Sequence, residues 1–205
     1  MPTERFFNLP EEKRARITRA IFEEMCRVPY DEISINKIIQ SADIPRGSFY
    51  QYFENKDELL TFMLKDFQKQ LFTMAKDTLI EVDGDIFRTF SVFLRRVIAF
   101  GEQEKYCTLL QNISYGIKYN HIHDAKMLQK RGTNFLNELF DLTNMREINI
   151  QTKEDFWDLA YILTLLIWSA GIDIFLDLSK KEEILTKTEK RINMIKYGVM
   201  KEETK

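Results

Sequence analysis

The side chains best suited to specific chemistry lie in one short run, Arg46-Gly47-Ser48-Phe49-Tyr50-Gln51-Tyr52. The Arg46 guanidinium can donate two hydrogen bonds to guanine O6 and N7, and the Gln51 amide can read adenine. Ser48 can bond a base or a phosphate, while Gly47 lacks a side chain and lets a helix approach the bases closely. This run therefore offers non-covalent recognition of nucleic acid, with a merely solvated position as the alternative for Gln51.

Covalent and metal chemistry have weaker support in the sequence. The chain has no dinucleotide fingerprint, phosphate-binding glycine loop, zinc-protease helix or nucleophile elbow, so we predict neither an enzyme nor a cofactor. His121 and His123 could form a weak metal pair, but without further ligands a surface pair is the better interpretation and no metal is predicted. Cys26 and Cys107 show no paired-cysteine spacing, and free thiols favour the cytoplasm.

The recognition run needs a helix to present it, and the surrounding sequence predicts three short helices. Apolar residues at helical spacing predict the first over 10–28, and Pro29 ends it. Ser34 is a good N-cap for the second helix, and the third covers about 45–52. The tight connection over 42–44 makes the second and third helices a helix-turn-helix. The residues expected in the core of this region are Ile35, Ile38, Phe49 and Phe53.

The rest of the chain is predicted to complete an all-α fold. All four prolines lie before residue 46, and the long proline-free remainder favours helices over turn-rich β structure. Asn55 and Glu58 have capping-box spacing and begin a long helix that ends near Asp83-Gly84-Asp85. Further helices are expected at about 86–101, 105–119, 123–142, 153–178 and 180–201, nine in all. Capping-box spacing recurs in Thr152 with Asp155 and in Ser179 with Glu182.

Residues 34–60, SINKIIQSADIPRGSFYQYFENKDELL, closely resemble the helix-turn-helix of TetR/AcrR-type bacterial transcriptional regulators. The most specific part is Arg46 to Phe53, followed by Lys56 and Glu58-Leu59-Leu60. The resemblance covers about residues 10–64, and beyond it only a helical architecture is shared. It implies a helix-turn-helix DNA-binding domain over 1–55 and a larger helical domain for ligand binding and dimerisation over 56–205.

The resemblance also implies roles for single residues. The family equivalents of Tyr50, Tyr52 and Lys56 contact DNA phosphates. For Tyr50, a partly core position is the alternative. Asn36 or Lys37 on the second helix can reach the flank of the groove. With the recognition run, these residues make up the predicted interface with double-stranded DNA.

Two positions depart from the family pattern. Asp43 replaces the usual glycine of the turn, and Asp tolerates the left-handed backbone conformation better than most residues. Pro45 replaces the usual capping serine or threonine and suits the start of a helix. The fold is expected to tolerate both changes, although proline cannot donate a hydrogen bond from the cap to a phosphate.

The segment 157–178 is apolar on both sides, so the side that faces away from its own core needs another cover. TetR-type regulators dimerise, and two recognition helices one helical turn apart read a near-palindrome. We expect this segment and the last helix to form the interface of a homodimer, with a central core helix in a monomer as the alternative. The expected interface residues are Trp157, Tyr161, Leu165, Trp168, Ile172, Phe175, Ile192 and Ile195.

The resemblance further implies a small-molecule effector that releases a repressor from a palindromic operator. The aromatic content of the second domain suggests an apolar or aromatic compound. Candidate contacts are Phe93, Phe100, Tyr115, Phe135, Tyr161 and Asp173. Asp173 lies within an apolar helix and fits either a cationic ligand or a salt bridge. Two alternatives stay open, a dimeric DNA-binding adaptor without an effector and a helical-bundle enzyme.

Charge and hydropathy limit the ways in which the chain can bind DNA or a membrane. Thirty basic and 32 acidic residues give a net charge of −2, without a basic arm. DNA affinity must therefore come from a few placed residues and from two-fold repetition. The N-terminus lacks a signal-peptide pattern, and the most apolar stretch is too short to span a bilayer. A cytoplasmic protein without membrane contact is expected.

Overall fold

The structure is a computed structural model that describes residues 2–120, 133–150 and 152–199. Within these ranges it contains ten α-helices and no β-strand, which confirms the all-α prediction. The helices are α1 (Glu4–Phe7), α2 (Glu11–Arg27), α3 (Ile35–Ser41), α4 (Arg46–Tyr52), α5 (Lys56–Glu81), α6 (Ile86–Gly101), α7 (Glu104–Asn120), α8 (Thr133–Leu142), α9 (Lys153–Leu176) and α10 (Lys181–Val199). Short 3-10 turns are found at Tyr30–Glu32, Met145–Glu147 and Leu178–Lys180.

The nine helices expected from the sequence correspond to α2–α10. Helix α6 covers the expected range 86–101 because Asp85 caps it, its carboxylate accepting the Arg88 N–H at 2.9 Å. Helix α1 is additional. The start at His123 expected for the helix that corresponds to α8 lies outside the described residues, as do both candidate metal-binding histidines.

At two of the three predicted capping boxes the N-cap side chain accepts the expected amide. The Asn55 side chain accepts the Glu58 N–H at 3.0 Å, and the Glu58 carboxylate accepts the Glu54 N–H at 3.0 Å. The Thr152 hydroxyl oxygen accepts the Asp155 N–H at 3.1 Å. These side chains satisfy amides that have no partner within their helices, so α5 and α9 begin where the sequence predicts.

The third predicted box, at the start of the last helix, is wrong. The Ser179 hydroxyl donates to the Asp177 carboxylate at 2.6 Å instead of capping an amide. Asp177 also accepts the Ser179 N–H at 3.2 Å, which places Ser179 inside the Leu178–Lys180 turn. A carboxylate two residues upstream is the stronger acceptor, so the helix begins only at Lys181.

The chain packs into two compact units. The first combines Met1–Gln70 with Thr108–Asn120, and the second combines Leu71–Cys107 with His121–Lys205. The first unit is therefore larger than the region 1–55 assigned to DNA binding, because α5 and α7 also contribute to its core. Its buried side chains include Ile17, Ile21, Ile38, Phe49, Phe53, Leu59, Leu109 and Ile113. The four core residues expected from the sequence are present, with Ile35 only partly buried.

The second unit is built around α6, α9 and α10, which all pack against one another. Helix α8 adds to α9, where the Phe140 and Phe156 rings meet edge to face at 5.2 Å. Surface ion pairs join α6 to α10, such as Arg95 with Glu189 at 2.7 Å. Exposed pairs of this kind contribute little stability, so the apolar core carries the packing of this unit.

Two connections use left-handed backbone. Asp43 in the turn between α3 and α4 has φ 48°, as its replacement of the family glycine predicts. Gly84 between α5 and α6 has φ 81°, and an added Cβ would lie 2.7 Å from the Asn144 nitrogen. The Asn144 N–H also donates to the Gly84 carbonyl at 2.9 Å, so this turn requires glycine.

Candidate nucleic-acid interface

Helix α4 presents its first residues to solvent. Pro45 is its N-cap, with φ −62° and ψ 145°, and makes no side-chain capping bond. Arg46 and Gly47 follow at the first two helical positions and are exposed, and Ser48 is half-buried. Phe49 points inward and is fully buried, which anchors the helix to the core of the unit. The first turn of α4 is thus packed against the core on one side and exposed to solvent on the other.

Helices α3 and α4 bring two predicted contact residues together. The Arg46 guanidinium donates to the Asn36 side-chain oxygen at 3.3 Å. Asn36 and Lys37 are both exposed on α3. The guanidinium, the amide and the ammonium therefore share one surface, and they supply several hydrogen-bond donors for base edges and phosphates.

Gly47 is surrounded by open space. A Cβ added at this position would meet no atom of the described residues within 4 Å, the helix's own backbone aside. Glycine inside a helix costs about 1 kcal/mol relative to alanine. Packing within the described residues does not explain this cost, in contrast to Gly84.

The two tyrosines of α4 differ in their exposure to solvent. Tyr50 is 46% exposed, whereas Tyr52 is only 6% exposed. Tyr52, whose family equivalent contacts a phosphate, is covered by the buried Phe6 of α1, and the two ring centroids lie 6.1 Å apart. Gln51, between the two tyrosines, is exposed. Tyr50 therefore is the tyrosine of α4 whose ring is accessible to a phosphate.

The start of α5 lies against the Tyr30–Glu32 turn. The Lys56 ammonium, half-buried, donates to the Asp31 carbonyl at 3.1 Å. The Tyr30 hydroxyl donates to the Asp57 carboxylate. Burial raises the pKa of Tyr30, and the hydrogen bond to Asp57 raises it further, so the phenol stays protonated. These contacts hold Lys56 in place, close to the first amides of α5.

A buried carboxylate connects α2 with the start of α3. Glu24 is 5% exposed, forms a bidentate pair with Arg27 and accepts the Ser34 N–H at 2.9 Å. The hydrogen bond from Arg27 holds the pKa of Glu24 below its usual range, and the Ser34 N–H lowers it further against the opposing effect of burial. Ser34 in turn caps α3 by accepting the Lys37 N–H at 3.4 Å.

Helix α7 contributes a contact that the sequence does not reveal. The Asn112 amide donates to the carbonyls of Met25 and Cys26 at 3.0 and 2.8 Å. These carbonyls lie in the last turn of α2, where intrahelical partners are missing. Asn112 is 86 residues from Cys26 in sequence, so no local pattern could have identified it. Thr3 and Phe6 of the N-terminal segment are missed for the same reason.

Among the candidate effector contacts, Phe135 and Phe100 have ring partners within the chain. Phe135 stacks on Phe72 with ring centroids 4.3 Å apart, and Phe100 stacks on Tyr106 at 4.9 Å. Phe93 and Asp173 are half-buried. These residues belong to the second unit, where the aromatic ones contribute to packing.

The other two candidates are exposed. Tyr161 lies on the outer side of α9 with 41% of its surface accessible. Tyr115 is 47% exposed and lies in the part of α7 that packs within the first unit. Helix α7 contributes residues to both units, which its sequence does not show.

One cavity of about 170 Å³ is described in the second unit, and none of the six candidate residues lines it. Its walls include Val82, Phe87 and Ile148, together with Asp85 and Lys196. Asp85 and Lys196 pair with each other at 3.3 Å. Asp83 and Asn144 also line the cavity, so its walls are polar as well as apolar.

Helix α9 has an exposed apolar side. Tyr161, Leu165 and Trp168 are 40–45% exposed, as their assignment to an outer face requires. Ile162 is 50% exposed and joins them. Trp157 and Ile172 are half-buried, as is Ile195 of α10. The outer apolar surface is therefore composed mainly of Tyr161, Ile162, Leu165 and Trp168, which we call the α9 face.

Two of the predicted interface residues do not belong to this surface. Phe175 is 5% exposed and Ile192 is 1% exposed, so both lie in the core of the second unit. This corrects their assignment to the dimer interface. A helix that is apolar all round gives no sequence signal for which side faces its own core. Met194 and Tyr197 are the strongly exposed apolar residues of α10 instead.

The apolar stretch predicted from the sequence to be too short to span a bilayer lies in α9, which by length and composition is the one helix among the described residues that could cross a membrane. Of its most apolar window, 39% is buried against the rest of the chain. Core helices of soluble proteins share these properties, so the observation is weak evidence for a membrane span.

Comparison with known proteins identifies the family. Residues 17–61 match the family described as bacterial regulatory proteins, tetR family. Residues 85–199 match the family described as tetracyclin repressor-like, C-terminal domain, which covers more than half of the chain. The first match falls on the helix-turn-helix, and the second falls on α6 to α10.

Individual relatives agree with this result. An uncharacterized HTH-type transcriptional regulator of Haemophilus influenzae is 28% identical over 135 residues, 66% of this chain and 58% of its own length. The HTH-type dhaKLM operon transcriptional activator DhaS of Lactococcus lactis is 38% identical over 50 residues, 24% of this chain and 27% of its own length. The match thus spans somewhat over half of the Haemophilus influenzae protein and about a quarter of the Lactococcus lactis protein.

The fold is shared with a TetR-family transcriptional regulator from Pectobacterium atrosepticum at a TM-score of 0.64 and 14% identity. That match covers 95% of this chain and 97% of the other. The helix-turn-helix and the helical second unit are the two parts that the matched families of bacterial regulators describe. The chain belongs to the TetR family. Its family and fold are those of regulators and not of enzymes.

Proposed function

We propose that the protein is a homodimeric, cytoplasmic repressor that reads a palindromic operator through α4 and leaves it when a small molecule binds the second unit. The observation that carries the DNA-reading part of this proposal is the start of α4. Arg46 and Gly47 are exposed there on a helix whose Phe49 is anchored in the core. Recognition helices contact bases with their N-terminal residues, and these two residues occupy those positions.

Each side chain of the surface has a role that suits its chemistry. Arg46 donates to guanine O6 and N7, and Gln51 bonds adenine. Ser48 bonds a base or phosphate at the start of the helix. Tyr50 and Lys56 bond phosphates on either side of the groove, while Asn36 and Lys37 reach its flank from α3. Tyr52 is the weakest member of the predicted set because its ring is buried.

Two copies of the chain are needed for a specific site, because one short helix makes few base contacts. The α9 face supplies apolar surface for association, and its tyrosine and tryptophan rings are residue types enriched in interfaces. A two-fold dimer places its recognition helices about 34–36 Å apart, one turn of B-DNA, and so reads a palindrome.

The effector is proposed to be a small apolar or aromatic compound. Support comes from the aromatic side chains of the second unit and from the family match over 85–199. Such a ligand acts only through unequal affinity for the DNA-bound and released states, and a full switch requires about 5.5 kcal/mol of difference. A DNA-binding adaptor would show no effect of any compound on DNA affinity.

The proposal is tested by selecting duplexes that bind the wild-type protein from random DNA and comparing Arg46→Ala with wild type. We expect palindromic selected sites and a loss of preference at one position per half-site, worth about 1–3 kcal/mol. Arg88→Ala is the matched control, since Arg88 is an exposed arginine in the first turn of α6 in the second unit. Equal site preference of Arg46→Ala and wild type would contradict the assignment of α4.

A further inference from the structure

The residues before α2 cap the recognition helix. The Thr3 N–H donates to the Tyr52 carbonyl at 3.0 Å, and the Thr3 hydroxyl donates to the Gln51 carbonyl at 2.6 Å. Both carbonyls lie in the last turn of α4, where no further helical amide follows to bond them. Thr3 therefore caps α4 from outside the helix-turn-helix, 48 residues away in sequence.

Phe6 anchors this cap in the core. Its ring is fully buried, with centroids 5.0 Å from Phe53 and 5.1 Å from Phe62 of α5. The Arg14 guanidinium of α2 donates to the Phe7 carbonyl at 2.9 Å. The segment 2–7 is thus tied to α2, α4 and α5 together, so it can hold the end of α4 at a defined place.

We propose that Thr3 is a positioning residue for DNA reading, which fixes the end of α4 and thereby the angle at which Arg46 and Gln51 enter the groove. The inference rests on the proposed function, because α4 must be the reading helix. A helix of seven residues has few internal hydrogen bonds, and its ends depend on capping.

Positioning and phosphate attraction have different sensitivities to this cap. Hydrogen bonds to base edges are directional, so a tilt of α4 weakens them. Attraction between basic residues and phosphates carries no sequence information and tolerates small displacements. Loss of the cap therefore lowers affinity for a selected site more than affinity for unrelated DNA.

Two substitutions remove the cap in steps. Thr3→Val removes the hydroxyl and keeps the shape of the side chain. Thr3→Pro removes the hydroxyl and the N–H together, and the observed φ of −69° and ψ of 162° suit proline. Thr186→Val is the matched control, because the Thr186 hydroxyl also donates to an exposed backbone carbonyl, that of Glu182 within α10.

The test measures the affinity of each full-length variant for a duplex selected by the wild-type protein and for an unrelated duplex, together with the unfolding temperature. We expect Thr3→Val to lower the ratio of specific to non-specific affinity about threefold to tenfold, and Thr3→Pro to lower it further. Hydrogen exchange should accelerate in the last turn of α4 and stay unchanged in α9. Thr186→Val should match wild type in every measurement.

Arg46→Ala in the same assay separates the two claims. If Arg46→Ala loses specific binding while both Thr3 variants keep the wild-type ratio, the positioning role is refuted and the proposed function stands. If Arg46→Ala also keeps the ratio, DNA reading through α4 is refuted. A fall in unfolding temperature with an unchanged ratio would assign Thr3 to stability alone and overturn the inference.

Discussion

Gly47 is a residue whose missing side chain serves no packing purpose within the described chain. Its surroundings are open, so Gly47→Ala should raise the free energy of unfolding by up to about 1 kcal/mol. The added methyl group projects from the first turn of α4, where the proposed DNA surface lies. We therefore expect this variant to be more stable than wild type and to bind a selected duplex more weakly, as measured by denaturant unfolding and by titration.

Gly198 provides the control for this prediction. It is another helical glycine with open surroundings, but it lies in α10 of the second unit. Gly198→Ala should leave DNA affinity unchanged, with a smaller gain in stability because the site is close to the end of its helix. Wild-type DNA affinity in Gly47→Ala would show that no close approach to DNA occurs there.

The tyrosines of α4 show how far single residues can be predicted. Helical spacing correctly places Phe49 and Phe53 in the core. The same spacing places Tyr52 on a different side of α4 from these two residues. Tyr52 is nevertheless buried, because Phe6, which is distant in sequence, packs against it. A residue's burial is predictable from its own helix only when no other segment covers the remaining sides.

Between elements, Glu24 is the side chain that joins the end of α2 to the start of α3. Its pKa is lowered in the folded chain, so its contribution to stability is complete above the unfolded value of about 4.3 and is lost as pH falls from there through the folded value. At pH 7, Glu24→Gln should lower the free energy of unfolding by roughly 1–3 kcal/mol. The difference between variant and wild type should shrink in urea titrations below about pH 4.

The neighbouring Glu23 is exposed and allows a matched comparison. Glu23→Gln should unfold at nearly the wild-type urea concentration at both pH values. A gap between Glu24→Gln and wild type that stays constant as the pH falls would show that the carboxylate charge is not the cause of the stabilisation.

Helices differ in how well they can be predicted from their own sequences. Helix α6 has an aspartate cap and an apolar stripe, and its bounds agree with the prediction. Helix α1 has four residues, too few to show a period, and exists because Phe6 is buried among the rings of other elements. Elements stabilised by local signals are predictable from sequence, while elements stabilised by distant contacts are not.

For the whole molecule, the proposal that two copies associate through the α9 face predicts the oligomeric state. Leu165 and Trp168 are 40% and 45% exposed, so a charge at either position should not disturb the core of the unit. We expect wild type to sediment as a dimer at micromolar concentration, and Leu165→Glu and Trp168→Glu to sediment as monomers because a charge would be buried in the interface.

Ile80 is the control for the association experiment. It is 59% exposed on α5, and Ile80→Glu should remain dimeric if the α9 face is the interface. A monomeric wild type, or dimeric Leu165→Glu and Trp168→Glu variants, would exclude the face. Phe175 and Ile192 are unsuitable for this test, since they are buried within the unit and their substitution would unfold it.

Large-scale organisation was predictable in kind but not in detail. Local helix signals predict the class of fold, and the recognition run predicts the DNA-reading part. The site of the proposed effector could not be predicted in this way, because aromatic residues occur both in cores and in ligand sites. Phe135, for example, stacks on Phe72, which accounts for its burial without a ligand.

The first unit is assembled from two separate stretches of the chain, and this affects when it can fold during synthesis. Leu109 and Ile113 belong to the core that supports α4, and Asn112 bonds the end of α2. During synthesis, a ribosome that has released only the first 70 residues has produced a DNA-reading part with an open core. We expect that part to acquire its full stability only after α7 has emerged, when more than half of the chain has been translated.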